Sequence, residues 1–244
     1  MITPDEYAIK KGSLIEAIHA AGANEALALE KTTSNLFRHR AQKDVHRLDV
    51  RGFNHVIHID AEARFAEVEG MTTYEELVRE TLPLRLMPTV VPQLKSITIG
   101  GATAGVGIES SSFKYGFVHE TVEALEVILP DGAIVLATKD NAHSDLFAGF
   151  ANSYGTLGYA LKVKVKLIPA GKFVRLDHER HSSFASYFSA LESRCKQGQA
   201  DFVDGTIFSS DELYLTTGRF VEDAPWTSDY TYLQIYYQSL RRNQ

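Results

Sequence analysis

Ile97-Thr98-Ile99-Gly100-Gly101-Ala102-Thr103-Ala104-Gly105-Val106-Gly107-Ile108-Glu109-Ser110-Ser111-Ser112 is the stretch on which the reading of this chain turns. Its glycines and small residues allow backbone N–H groups to come close to an anion, and the serines that follow add hydroxyl donors. A pyrophosphate suits that description. The stretch is not a P-loop, because no Gly-Lys-Ser/Thr closes it. It is not the dinucleotide fingerprint of a Rossmann unit either: Gly105-Val106-Gly107 begins that pattern, but Ser110 stands in place of the third glycine and no helix-like apolar period follows. On composition alone, a nucleotide-binding loop and a structural turn are evenly matched.

Working outward, Pro4 to about Ala21 reads as a helix with Asp5 and Glu6 in its first turn and Gly22 as its stop. Val56 to Ile59 and Phe65 to Val68 read as a hairpin. Thr72 and Thr73 each precede a glutamate by three residues, so either can cap a short helix running to about Leu82. Leu84 to Pro92 reads as a loop. Downstream, Val122 to Leu129 and Ala133 to Thr138 flank Asp131-Gly132, a hairpin signal. Ser144 is placed to cap a helix through Phe147. Leu161, Val163, Val165 and Leu167 alternate with Lys162, Lys164 and Lys166, which predicts a half-buried strand whose lysine face meets water and not nucleic acid. Pro169-Ala170-Gly171 marks a boundary. Beyond it lie a predicted helix from Ser183 to Gln197 and strand-like runs around Phe202 to Phe208 and Glu212 to Thr217.

The chain has 244 residues, 44% of them hydrophobic, enough for a sizeable core. A net charge of −6 without a long basic run argues against nucleic acid as the main partner. Cys195 is the single cysteine, so neither an internal disulfide nor a thiolate metal cluster is available. The histidines show no metal-ligand spacing. With no secretory signal and no apolar run long enough to cross a bilayer, the expectation is a soluble, cytoplasmic protein of unassigned oligomeric state that acts on a small molecule.

The ordered set of motifs adds a resemblance. Val91-Pro92-Gln93-Leu94, Thr98 through Ser112, Lys114-Tyr115-Gly116, Asp131-Gly132, Ser144 to Phe147, and Gly155-Thr156-Leu157-Gly158 with the strand ending at Ile168-Pro169 together resemble the FAD-binding segment of the vanillyl-alcohol oxidase and p-cresol methylhydroxylase (PCMH-type) superfamily. Within it they are most similar to the Δ24-sterol reductase (seladin-type) branch. Ser34-Asn35-Leu36-Phe37-Arg38 resembles that branch's first flavin-contacting loop.

The resemblance implies an α+β fold: a two-subdomain PCMH-type FAD-binding domain over residues 1–169, followed by the start of an α+β cap, or substrate, domain over residues 170–244. It implies that Thr98, Ile99, Gly100, Gly101, Ala102, Thr103, Ala104, Gly105, Val106, Gly107, Ile108, Glu109 and Ser110 hold the pyrophosphate and part of the adenosine. Ser34, Asn35, Leu36 and Arg38 would lie opposite, with Pro92, Ser112, Tyr115, Gly155 and Gly158 also at the cofactor. Glu109, repelled by a diphosphate, would accept from a ribose hydroxyl or backbone N–H groups, or serve structure alone. Tyr115 and His119 are read as packing residues before catalytic ones, and catalytic residues stay unassigned. Despite His39 beside Arg38, FAD is expected to bind non-covalently.

The chemistry implied is hydride transfer at the flavin N5, with reduction of a C=C bond in a sterol-like or other lipid substrate and NADPH as electron donor. Competing readings are an oxidase or dehydrogenase of an alcohol or sugar-like substrate, and an FAD-binding module without turnover. Because superfamily members continue well beyond the length seen here, the chain is expected to be a truncated form.

Overall fold

The computed structural model describes residues 2–22, 25–32 and 45–228. Helix α1 (Pro4–Ala20) begins at a complete capping box. The Thr3 hydroxyl accepts from the Glu6 N–H at 3.2 Å, and the Glu6 carboxylate accepts from the Thr3 N–H at 2.9 Å. Such a cap stabilises a helix by about 1 kcal/mol. Tyr7, Leu14 and Ile18 form its buried stripe. They pack on Leu48, Val50 and Phe53, beside a two-stranded parallel pair, β1 (Leu27–Glu30) and β2 (His46–Asp49).

The main sheet starts with the expected hairpin, β3 (Val56–Asp60) and β4 (Phe65–Glu69). Helix α2 (Tyr74–Thr81) is capped by Thr73, whose hydroxyl accepts from the Glu76 N–H. Thr72 is fully buried, and its hydroxyl donates to the His55 carbonyl at 2.9 Å. The segment read as a loop holds a short strand instead, β5 (Leu86–Pro88), entered through Arg85 at φ 60°. Two prolines hid it, yet a proline is tolerated at a sheet margin where its missing N–H is not needed.

Helices α3 (Ile99–Gly105) and α4 (Ser112–Tyr115) precede the second hairpin, β6 (Val122–Ile128) and β7 (Ile134–Thr138), which turns at Gly132 with φ 85°. Helix α5 (Ser144–Phe150) forms as expected, but Ser144 does not cap it. His143 holds the cap position without a side-chain bond, and Asn141 Oδ1 accepts from the His143 N–H instead. The long strand β8 (Tyr159–Pro169) closes the sheet in the order β3-β4-β8-β6-β7, with β5 also on β8 and all neighbours antiparallel.

β8 carries the decisive irregularity. Lys162 faces Glu126, but the next pair is Ala160 with Val127, so Leu161 is an extra residue, a β-bulge. The bulge reverses the facing of everything before it. Val163, Val165, Leu167 and Ala160 pack in one core with α2, α3 and α5, while Leu161 enters the core under α1. The lysine row is answered by acids of neighbouring strands, Lys162 by Glu67 and Lys164 by Glu123, each at 3.2 Å.

A second, three-stranded antiparallel sheet follows, built from β9 (Phe173–His181), β10 (Phe202–Ser209) and β11 (Glu212–Val221) in the order β10-β11-β9. β9 is unmarked in the sequence because charged residues and histidines fill most of it. Pairing along its whole length with β11 holds it. Helix α6 (Phe184–Gln197), capped by Ser183 and stopped by left-handed Gly198, packs Tyr187 and Leu191 on Leu213 and Leu215. The two sheets meet where the Val203 N–H donates to the Ser110 carbonyl at 2.8 Å.

Candidate functional site

Of the decisive stretch, Ile99–Gly105 folds as helix α3, while residues 106–111 form a loop as expected. Ile99, Ala102 and Thr103 are buried at helical spacing, and the Thr98 hydroxyl caps the start by accepting from the Gly101 N–H at 3.2 Å. The periodic signal was present but carried by small residues, which blunted it. The first amides of α3 already have acceptors within the protein: Ile99 N–H donates to the Thr72 carbonyl and Gly100 N–H to the Gly70 carbonyl, both at 2.9 Å. The glycines therefore offer a bare backbone surface for close approach more than free N–H donors.

That surface is one wall of a cavity of about 320 Å³. Thr98, Gly100, Gly101, Ala102, Ala104, Gly105, Val106 and Gly107 line it, together with Pro92, Glu109, Gly155 and Gly158. Nine further lining residues were not foreseen: Leu29, Lys31, Gly70, Met71, Ile97, Phe150, Tyr154, Tyr159 and Ala160. Gly70 is required by close approach, since a Cβ there would overlap the Ala160 carbonyl oxygen. Two bulky partners facing one glycine are not visible in a single sequence.

Other predicted residues lie elsewhere. Ile99 and Thr103 are core; Ile108 is 66% exposed. The Ser110 carbonyl is bound to Val203, and the Ser112 hydroxyl accepts from the Glu109 N–H at 3.0 Å. Tyr115 lines a separate cavity of about 510 Å³ with His119, Lys139 and Ser144. There His119 stacks on Phe117, and its Nδ1 is buried without a partner. Ser34, Asn35, Leu36 and Arg38 fall outside the described residues, as does His39.

Two features make the first cavity a site and not merely a gap. The Tyr159 hydroxyl is buried with no hydrogen-bond partner, although such groups are almost always paired. Burial first, and the charge of Glu69 second, hold it well above the usual phenol range, so it is a neutral donor. Tyr154 and Gly155 of the lining, and Asn152 two residues before Tyr154, all adopt positive φ, at 50°, 85° and 61°. At the two non-glycine positions this is strain, which persists where the surrounding structure over-determines the geometry and which clusters at functional sites. The Tyr154 hydroxyl donates to the Gly105 carbonyl at 3.3 Å, tying the strained turn to α3.

Among the described residues, Glu109 is the one carboxyl in the lining. Its Oε2 accepts from the Gln93 N–H at 3.2 Å. Burial, reinforced by Asp204 of β10 and opposed by that N–H, pushes it up to about 7. It is therefore about half protonated near pH 7.

A glycine-walled cleft with an unanswered buried donor, set against an antiparallel sheet, is the build of a cofactor-binding module. Residues 10–138 match the family described as FAD binding domain, and the chain belongs to that family. The bare wall and the Tyr159 hydroxyl fit an extended ligand rich in acceptors. Among curated proteins, the Delta(24)-sterol reductase of Pisum sativum is 36% identical over 183 residues, covering 71% of this chain and 32% of the relative. The Delta(24)-sterol reductase of Homo sapiens is 30% identical over 182 residues, covering 75% and 35%. The chain thus spans about a third of the length of these relatives. A crystal structure of 6-hydroxy-D-nicotine oxidase from Arthrobacter nicotinovorans shares the fold, with a TM-score of 0.63 at 16% identity over 86% of this chain and 48% of that one. The α+β class and the likeness to the sterol-reductase branch are borne out. No helix among the described residues is long and apolar enough to cross a membrane.

Proposed function

We propose that this chain is the flavin-binding part of an FAD-dependent oxidoreductase that reduces a C=C bond of a sterol-like lipid, with NADPH as electron donor and FAD held without a covalent bond. The family match over residues 10–138 is the observation that carries the reading. The relatives named Delta(24)-sterol reductase favour C=C reduction over alcohol or sugar oxidation. Residues 1–169 form the FAD-binding domain in this reading, and residues 170–244 begin the cap that faces the substrate.

When bound, FAD supplies hydride transfer at its N5. The protein's own residues bind and orient it. Gly101, Gly105 and Gly155 leave room for close approach, because a Cβ at Gly155 would meet nothing within 4 Å and one at Gly105 would make only ordinary contact with Tyr154. Tyr159 donates its unanswered hydroxyl. Arg38 offsets phosphate charge and Ser34 and Asn35 donate hydrogen bonds, in keeping with the loop they resemble. The test is an absorbance spectrum of the purified protein before and after denaturation. Flavin bands released into solution on unfolding are expected; a colourless protein that takes up no added FAD would overturn the assignment.

A further inference from the structure

We propose that Glu109 is the proton donor of the reaction, delivering its carboxyl proton to the substrate carbon next to the one that receives hydride. This rests on the C=C reductase reading above. Saturating a C=C bond adds a hydride to one carbon and a proton to the other. The two electrons enter with the hydride, which the reduced cofactor supplies, while the proton must come from a group that holds one in a site shielded from water. When the Glu109 O–H bond breaks, the remaining carboxylate recovers its proton from water, so charge and atoms balance over a turnover.

Three observations place that role on Glu109. It belongs to the lining of the cofactor cavity. The next residue, Ser110, accepts the Val203 N–H of β10 at 2.8 Å, so Glu109 lies at the seam between the cavity and the second sheet, the part read above as the start of the substrate-facing cap. The titratable groups whose charge bears on it are the Asp204 carboxyl of β10 and the buried Tyr74 hydroxyl of α2, and Lys31 is the cation that shares the cavity lining with it. Burial and Asp204 together keep it protonated to about pH 7, the range in which a general acid works best.

The test uses the FAD-loaded protein and its Glu109→Gln variant, which keeps an acceptor for the Gln93 N–H. Difference infrared spectroscopy should show a carboxylic acid C=O band that titrates near neutrality and is missing in the variant. A Glu109 carboxyl that titrates in the ordinary carboxylate range would overturn the proposal. In rapid mixing, the pre-reduced protein is combined with a sterol whose aliphatic tail carries a C=C bond. With both proteins saturated with FAD, oxidation of the flavin should slow about a hundredfold in Glu109→Gln, the lower end of general-acid effects, with partial recovery in Glu109→Asp. The wild-type rate should fall as pH rises through about 7, and the variant's should not. Equal rates in the two proteins would sink the proton-donor role while leaving the flavin reading standing. Absence of FAD uptake by wild type would overturn both.

Discussion

Gly70 and Gly100 touch backbone to backbone: the Gly100 N–H donates to the Gly70 carbonyl at 2.9 Å, and a Cβ on Gly100 would sit 2.7 Å from that oxygen. The contact fixes the start of α3 to the end of β4 and so sets the position of the whole cavity wall. Gly100 is thus a packing glycine, whereas its neighbour Gly101 is exposed and belongs to the ligand side.

The two neighbours should therefore separate on substitution. Gly100→Ala is expected to lower stability by roughly 1–3 kcal/mol through overpacking against backbone that cannot yield. In Gly101→Ala the new Cβ meets only the Thr98 hydroxyl, at 2.8 Å. It should cost no more than the cap, about 1 kcal/mol, while weakening FAD binding at least about tenfold. Urea melts and FAD titrations on both variants check this, and equal FAD affinity for Gly101→Ala and wild type would leave α3 as scaffold alone.

Glu69 has no exposed surface and is held by Lys10 at 2.9 Å, by the His55 N–H at 2.8 Å and by the His55 ring at 3.0 Å. Lys10→Met should destabilise the protein by roughly 3 kcal/mol, because it strands a buried carboxylate. Glu69→Gln, which keeps an acceptor for His55, should cost less. The order of the two urea midpoints decides it.

Removing the Tyr159 hydroxyl tests what that group is for. Tyr159→Phe should leave the stability of the FAD-free protein unchanged or raised, since an unpaired buried hydroxyl contributes nothing to the fold. FAD affinity should drop by about 1 kcal/mol, the net worth of one hydrogen bond. Thermal melts without FAD and a binding isotherm with it separate the two effects.

How much of this was legible beforehand varies by element. Helix α1, both hairpins, β8 and α6 announced themselves because their apolar periods or turn residues were clear: Asp131-Gly132 marks one turn, Ser183 and Gly198 bracket a helix. The cofactor family was legible from the ordered motifs. What escaped depends on partners far along the sequence. β9 is held by β11, Gly70 is dictated by Ala160, and the Leu161 bulge is defined only against β6. α3 was missed for a different reason, its buried face being made of Ala102 and Thr103 with only Ile99 as a conventional apolar residue.

Glu109 also predicts a pH dependence of stability. Its folded-state value is raised above that of the unfolded protein, so the native state binds the proton more tightly and stability falls as pH rises from about 4.5 to about 7, then levels off. Glu109→Gln lacks this loss. The melting temperature of the variant relative to wild type should therefore rise between pH 5 and pH 8, and a constant difference would mean that Glu109 titrates alike in both states.

The position of β8 at the centre of the main sheet sets a timetable for the newborn polypeptide. β4 and β6 are not paired with each other, and both wait for β8, the last strand of that sheet to be synthesised. Until residue 169 has left the ribosome, two hairpins stand with open edges and no common core, the situation in which nascent polypeptides pair wrongly. Ribosome-bound polypeptides stopping at Gly158 should be digested by protease as readily as unfolded ones, with protection appearing only once the whole of β8 is free. A single late strand thus makes the closing of the sheet and the completion of the cavity, which ends at Tyr159 and Ala160, the same event.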